Sequence, residues 1–103
     1  MSAPAFPGVR VVGAFYRGAE AVEATAALQP GDTLSVKREP ENEYDQNAVA
    51  VYLGSIHIGY IERGQAAWLS PWLDQDVSYN CVVQELMTHR NTIYPLVDLT
   101  PAE

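Results

Sequence analysis

The chain has 103 residues, 48% of them hydrophobic and 18% charged, and a formal net charge of −7. This is the composition of one folded domain and excludes a disordered chain; at this size roughly 65% of the unfolded surface is buried, enough for one core without staples. The acidic balance excludes a broad electrostatic grip on nucleic acid, which takes clustered Lys and Arg. Any nucleic-acid site here is therefore small and local.

Cys81 is the only cysteine, so no internal disulfide forms and the chain suits a reducing compartment. The opening MSAPAFPGVR has neither the basic nor the apolar region of a signal peptide. No apolar run approaches a membrane span. The expectation is a soluble cytoplasmic protein with no membrane partner.

Residues 1–7 hold two prolines and small side chains and read as a flexible N-terminus ahead of a domain over residues 8–100. Val9–Arg17 (VRVVGAFYR) is rich in β-branched and aromatic residues and reads as a first strand, with Gly13 marking a bulge or a close backbone approach. Ala19–Leu28 is rich in Ala and Glu and reads as a short helix, ended by the turn Pro30-Gly31-Asp32. Thr33–Arg38 is a second strand, with Leu34 and Val36 inward.

Arg38–Leu53 (REPENEYDQNAVAVYL) is the stretch around which the rest is organised. Pro40 ends the incoming strand because it cannot donate a ladder hydrogen bond. Asn42, Asp45 and Asn47 are turn formers whose short side chains bond nearby backbone. Ala48–Leu53 then alternates as a third strand. Gly54-Ser55 gives a two-residue hairpin connection into a fourth strand, Ile56–Ile61. Its period puts Ile56, Ile58 and Tyr60 on one face and His57, Gly59 and Ile61 on the other.

Gly64–Leu73 is helical in pattern, but Pro71 interrupts it and Ser70 is placed to cap a new turn. Val77–Met87 and Ile93–Leu99 are the last two strands, with Pro95 marking an edge. No βαβ alternation is present. The fold class is mainly β with two short helices, a small OB-like six-stranded antiparallel partial barrel.

Catalytic patterns are missing. There is no GxxxxGK[ST] phosphate loop and no GxSxG elbow, and Cys81, His57 and His89 lack zinc spacing. Glu39, Glu41, Glu43 and Asp45 alternate in an acidic turn with no glycine to wrap it around calcium, so a solvated turn is favoured over a metal site. No cofactor, no metal and no enzymatic activity are expected.

The runs VVGAFYRG, REPENEYDQNAVAVY and IGYIERGQAAWLSPWL, in that order and spacing, resemble a HIRAN domain. The resemblance implies an OB-like barrel of the kind found in fork-remodelling enzymes and in stand-alone bacterial and phage proteins. It further implies binding of single-stranded DNA with capture of the 3′-hydroxyl end, in a DNA-repair setting. Terminal bases stack on tyrosines there, and an aspartate accepts the hydroxyl's hydrogen bond. On that resemblance Tyr44 and Asp45 fall on the tyrosine–aspartate pair, Asn47 on the asparagine that follows, and Tyr16 on a first-strand tyrosine. Phe15 stands where the DNA-binding members have a basic residue, and Arg17 where they have an aromatic. In a strand, that one-place shift carries the charge to the other face.

The residue types fit the same chemistry. Tyrosine faces stack on any base, and a carboxylate repels phosphate while accepting a hydroxyl's hydrogen bond. Arg17, Lys37, Arg38 and Arg63 supply local positive potential, while Glu20, Glu23, Asp74 and Asp76 lie elsewhere in the chain. The candidate nucleic-acid-binding residues are thus Tyr16, Arg17, Arg38, Tyr44, Asp45, Asn47 and Arg63.

Three readings stay open. A DNA-end module, with a protein partner or a helicase acting in trans, predicts a cleft lined by Tyr16, Tyr44 and Asp45. A protein-interaction domain without DNA binding predicts an exposed tryptophan, Trp68 or Trp72, or an open sheet edge. A small-molecule enzyme predicts a deep pocket with a perturbed carboxylate. At residue level, Asp45 and Asn47 also fit a plain Asx turn, Tyr44 a rim aromatic, Tyr16, Tyr60 and Phe15 core or rim, and His57 a structural histidine.

Overall fold

The computed structural model describes residues 2–102. Six strands close into an antiparallel barrel, and three helices pack outside it. In chain order these are β1 (Phe6–Val12), α1 (Ala14–Arg17), α2 (Ala19–Ala26), β2 (Thr33–Arg38), β3 (Val49–Leu53), β4 (Ile56–Ile61), α3 (Arg63–Asp74), β5 (Tyr79–His89) and β6 (Thr92–Pro101). Around the barrel the order is β1-β4-β3-β2-β5-β6, with β6 returning to β1. The expected six-stranded antiparallel barrel is present. It is closed rather than partial, and it carries one helix more than expected.

The core is built from alternating apolar side chains: Val9 and Val11 of β1, Leu34 of β2, Val49 and Val51 of β3, Cys81 and Val83 of β5, Val97 and Leu99 of β6. Ala66 and Leu69 of α3 complete it from outside. Cys81 is buried among them, and that burial, with Asp98 nearby, pushes its thiol up to about 12. It is a packing residue, not a nucleophile.

Several local readings of the sequence are corrected. The first strand ends at Val12, because Gly13 adopts a left-handed conformation (φ 90°, ψ 10°) that only glycine takes freely. The chain then makes the one-turn helix α1, with Tyr16 N donating to Gly13 O at 3.1 Å, and Gly18 closes it at φ 115°. β1 also starts earlier, at Phe6, inside the segment expected to be flexible. Tyr79 Oη donates to Pro4 O at 2.7 Å, and residue 1 of that segment lies outside the described residues.

The second correction is in β4. Ala50 pairs with Tyr60 and Val51 with Gly59, but Tyr52 pairs with His57, so Ile58 is an extra residue in the ladder. This bulge reverses the alternation. Ile58 and Ile61 both enter the core, and Tyr60 joins His57 on the outer face. There the rings of His57 and Tyr60 meet edge-on at 4.9 Å, and Tyr52 stacks on His57 at 4.8 Å.

The remaining corrections concern two prolines and a serine. α3 runs unbroken through Pro71, which has no amide to donate to the carbonyl four residues back, so the helix gives up one ladder bond there. Ser70 is buried and donates to Asn47 Oδ1 at 3.3 Å instead of capping a turn. Glu62 caps α3, its carboxylate accepting from Gly64 N at 2.8 Å. Pro95 is buried, and β6 lies between β5 and β1. Its pairing with β1 stops at Leu96, so Pro95 stands where β6 has a partner on one side only.

Candidate nucleic-acid interface

The turn between β2 and β3 is shaped by its own side chains. Asn42 Oδ1 accepts from the amides of Tyr44 (2.9 Å) and Asp45 (3.1 Å), and Asp45 Oδ1 accepts from the amide of Asn47 (2.9 Å). Two successive Asx turns thus replace ladder bonds that the chain has given up. With its backbone held and no core beside it, the Tyr44 side chain projects outward, 81% exposed.

Across from it stands Tyr16, 88% exposed on α1. Between them lies an open cleft of about 460 Å3. Five of the seven candidate residues line it: Tyr16, Arg17, Tyr44, Asp45 and Arg63. The one-turn helix explains why Arg17 is present. Successive helical residues are about 100° apart, not opposite as in a strand, so Tyr16 and Arg17 both reach the cleft. Despite its place one residue further along the sequence, Arg17 puts a cation in the cleft.

The other two candidates lie apart from the lining. Asn47 borders a separate depression of about 380 Å3, which Tyr44, Asp45 and Arg63 also line. Arg38 is half-buried, paired with Asp74 at 2.8 Å, and donates to Ala48 O at 2.8 Å, anchoring the base of the turn to α3. Lys37 is exposed on β2, outside the cleft.

The remaining lining includes Asn42, Ala48, Val12, Gly13, Ile61 and Tyr60. Tyr60 was hidden from a sequence reading because only the β4 bulge turns it outward. Its hydroxyl donates to Glu39 Oε1 at 2.9 Å, and Asn42 Nδ2 donates to the same oxygen at 3.1 Å. Burial alone would raise the Glu39 carboxyl. The hydrogen bonds from Asn42 and Tyr60, with the charges of His57 and Arg17, outweigh it and hold the group below its ordinary value. Burial, then Glu39 itself, pushes the Tyr60 phenol up. Burial and the charge of Arg17 hold His57 below its ordinary value, and its Nε2–H donates to Gly59 O at 3.0 Å. His57 is a structural histidine.

Asp45 is mostly covered, its carboxylate 3.9 Å from the exposed guanidinium of Arg63. With Oδ1 engaged by one amide, a carboxylate still has lone pairs to offer a hydroxyl. The cleft therefore joins two free aromatic faces, one hydrogen-bond acceptor and two cations. Among the described residues, no three His, Cys, Asp or Glu converge as metal ligands do, and no helix is long and apolar enough to cross a membrane.

The HIRAN domain model matches residues 8–97. The chain belongs to the HIRAN family. A crystal structure of a protein from Lactobacillus plantarum superposes with a TM-score of 0.76 at 28% identity, covering 92% of each chain. The crystal structure of the HIRAN domain of human HLTF gives 0.71 at 21% identity, over 94% of this chain and 74% of that one. The solution structure of the same human domain gives 0.66 at 21%. No curated protein matches the chain in sequence.

Proposed function

We propose that this HIRAN domain is a non-enzymatic nucleic-acid-binding module that captures the 3′-hydroxyl end of single-stranded DNA in the Tyr16–Tyr44 cleft. The observation that carries the reading is the placement of two tyrosines, 88% and 81% exposed, around a sheltered carboxylate. A folded protein exposes such rings at a cost unless something covers them, and the last bases of a strand cover them by stacking. Asp45 accepts a hydrogen bond from the terminal hydroxyl, and a 3′-phosphate is repelled from the same position. Arg17 and Arg63 meet the phosphates behind the end. Family membership supports the nucleic-acid reading, with a helicase or other protein supplying movement in trans.

The test is fluorescence anisotropy at low salt with short oligothymidines ending in 3′-hydroxyl or 3′-phosphate. The hydroxyl end binds, the phosphate end binds at least tenfold less, and Tyr44→Ala loses about 1–3 kcal/mol of affinity. Asp45→Asn keeps an acceptor for the Asn47 amide but removes the charge, so it closes the gap between the two ends. Equal binding of both ends by wild type overturns end capture.

One observation favours a second reading, a protein-docking domain: Trp68 on α3 is 73% exposed. If wild type binds neither oligonucleotide, that reading replaces the first.

A further inference from the structure

Four of the six cationic side chains of this acidic protein gather on one side of the barrel. Arg17 and Arg63 line the cleft, and Arg10 and Arg90 line a separate depression of about 410 Å3 beside the tip of the β5–β6 hairpin. A third depression of about 210 Å3 joins the two, sharing Val12 and Tyr16 with the cleft and Val12 and Tyr94 with the cationic one. No acidic residue lines either of these two outer depressions. Among the described residues neither Arg10 nor Arg90 has an ion-pair partner.

The connecting floor is aromatic and apolar. Phe15 is 77% exposed and meets Tyr16 edge-on with centroids 5.6 Å apart, extending the stacking surface away from the cleft. At the far end the Arg10 guanidinium lies over the Tyr94 ring, 5.6 Å from its centroid. That contact restrains the guanidinium while leaving its N–H edge free. Arg90 sits in a two-residue turn with Asn91, both at positive φ (50° and 65°), closing the His89–Thr92 pair. Turns of this kind favour Asn and Gly, so an arginine there is out of its preferred place.

The geometry points to a second nucleic-acid subsite: a single strand whose 3′ end occupies the cleft runs on over Val12, Phe15 and Tyr16, and its 5′-ward phosphates are held by Arg10 and Arg90. This rests on the end-capture reading for the strand's polarity, but not for the existence of the subsite. A continuous cation-and-aromatic path is what sequence-tolerant single-strand binding uses.

The experiment compares 3′-hydroxyl oligothymidines of about three and about ten nucleotides, for wild type, Arg10→Gln/Arg90→Gln, Tyr44→Ala and the off-path control Lys37→Gln, with melting curves to confirm folding. Wild type binds the longer strand at least tenfold more tightly. The double variant binds the short strand as wild type does and loses the length gain, and its salt slope on the long strand falls by about 1.4, two contacts at 0.7 each. Lys37→Gln keeps the gain. Equal wild-type affinity for both lengths, or a gain untouched by the double variant, or one lost equally with Lys37→Gln, overturns the subsite. Loss of long-strand binding in the double variant with Tyr44→Ala unaffected keeps the subsite and overturns end capture instead.

Discussion

The posture of Tyr44 is set two residues earlier, by Asn42. Its side chain holds two turn amides and reaches Glu39, which in turn receives the Tyr60 hydroxyl. At about 1 kcal/mol net per hydrogen bond, Asn42→Ala costs about 1–3 kcal/mol, read from a denaturation midpoint. It also speeds amide exchange at Tyr44 and Asp45 and weakens DNA-end binding without removing a stacking face. This turn was legible in the sequence because Asn and Asp act on backbone two or three residues away. Tyr60 was not, because its face depends on a bulge set by a neighbouring strand.

The same network gives a pH dependence of one sign. Glu39 sits below its ordinary 4.5 in the fold, since the bonds from Asn42 and Tyr60 outweigh its burial. The unfolded chain therefore takes up that proton more readily, and this contribution is complete above 4.5 and lost as pH falls through the lower folded value. His57, below its ordinary 6.5 through burial and Arg17, acts alike: its contribution is complete above 6.5 and lost below. The melting temperature should decline in two stages on acidification. Glu39→Gln should flatten the lower stage and His57→Phe the upper. A melting temperature that rises as pH falls from 6.5 to 4.5 contradicts the His57 assignment, and one that rises as pH falls further below 4.5 contradicts that of Glu39.

At the scale of elements, the cleft exists because two stretches that read as plain strand are not. Val9–Arg17 is rich in β-branched and aromatic side chains, yet the glycines at 13 and 18 bracket a helical turn that lifts Tyr16 and Arg17 off the barrel. Composition favoured the strand; backbone freedom at two glycines decided otherwise. In β4, the bulge at Ile58 lets Gly59 meet β1. A Cβ on Gly59 would overlap the Val12 carbonyl oxygen and press on Val11. Gly59→Ala therefore forces β1 and β4 apart where the barrel closes and the cleft wall begins. Overpacking of this kind costs about 1–3 kcal/mol, and the loss should appear in a urea midpoint together with weakened oligonucleotide binding. Gly54→Ala, at a left-handed turn position with open space around it, tests strain without overlap and should leave binding unchanged.

For the whole molecule, the total charge is a poor guide and its distribution a good one. The sequence shows thirteen acidic side chains against six basic ones, which argues against nucleic acid. It does not show that barrel closure brings Arg10 of β1 and Arg90 of the last hairpin to one side, because that needs the β1–β6 pairing between the chain's two ends. Few cations means few phosphate contacts, so affinity should come largely from stacking and fall only shallowly with salt. With Arg10, Arg17, Arg63 and Arg90 all engaged, the slope of log affinity against log salt is bounded at about −3. The acid still acts at long range. Glu20 and Glu23 on α2 lie outside the cleft and its extension. Converting both to Gln should raise the association rate at low salt, leave the dissociation rate nearly unchanged, and lose its effect in high salt. If the dissociation rate moves instead, α2 contacts the strand and the path runs across it rather than toward the hairpin.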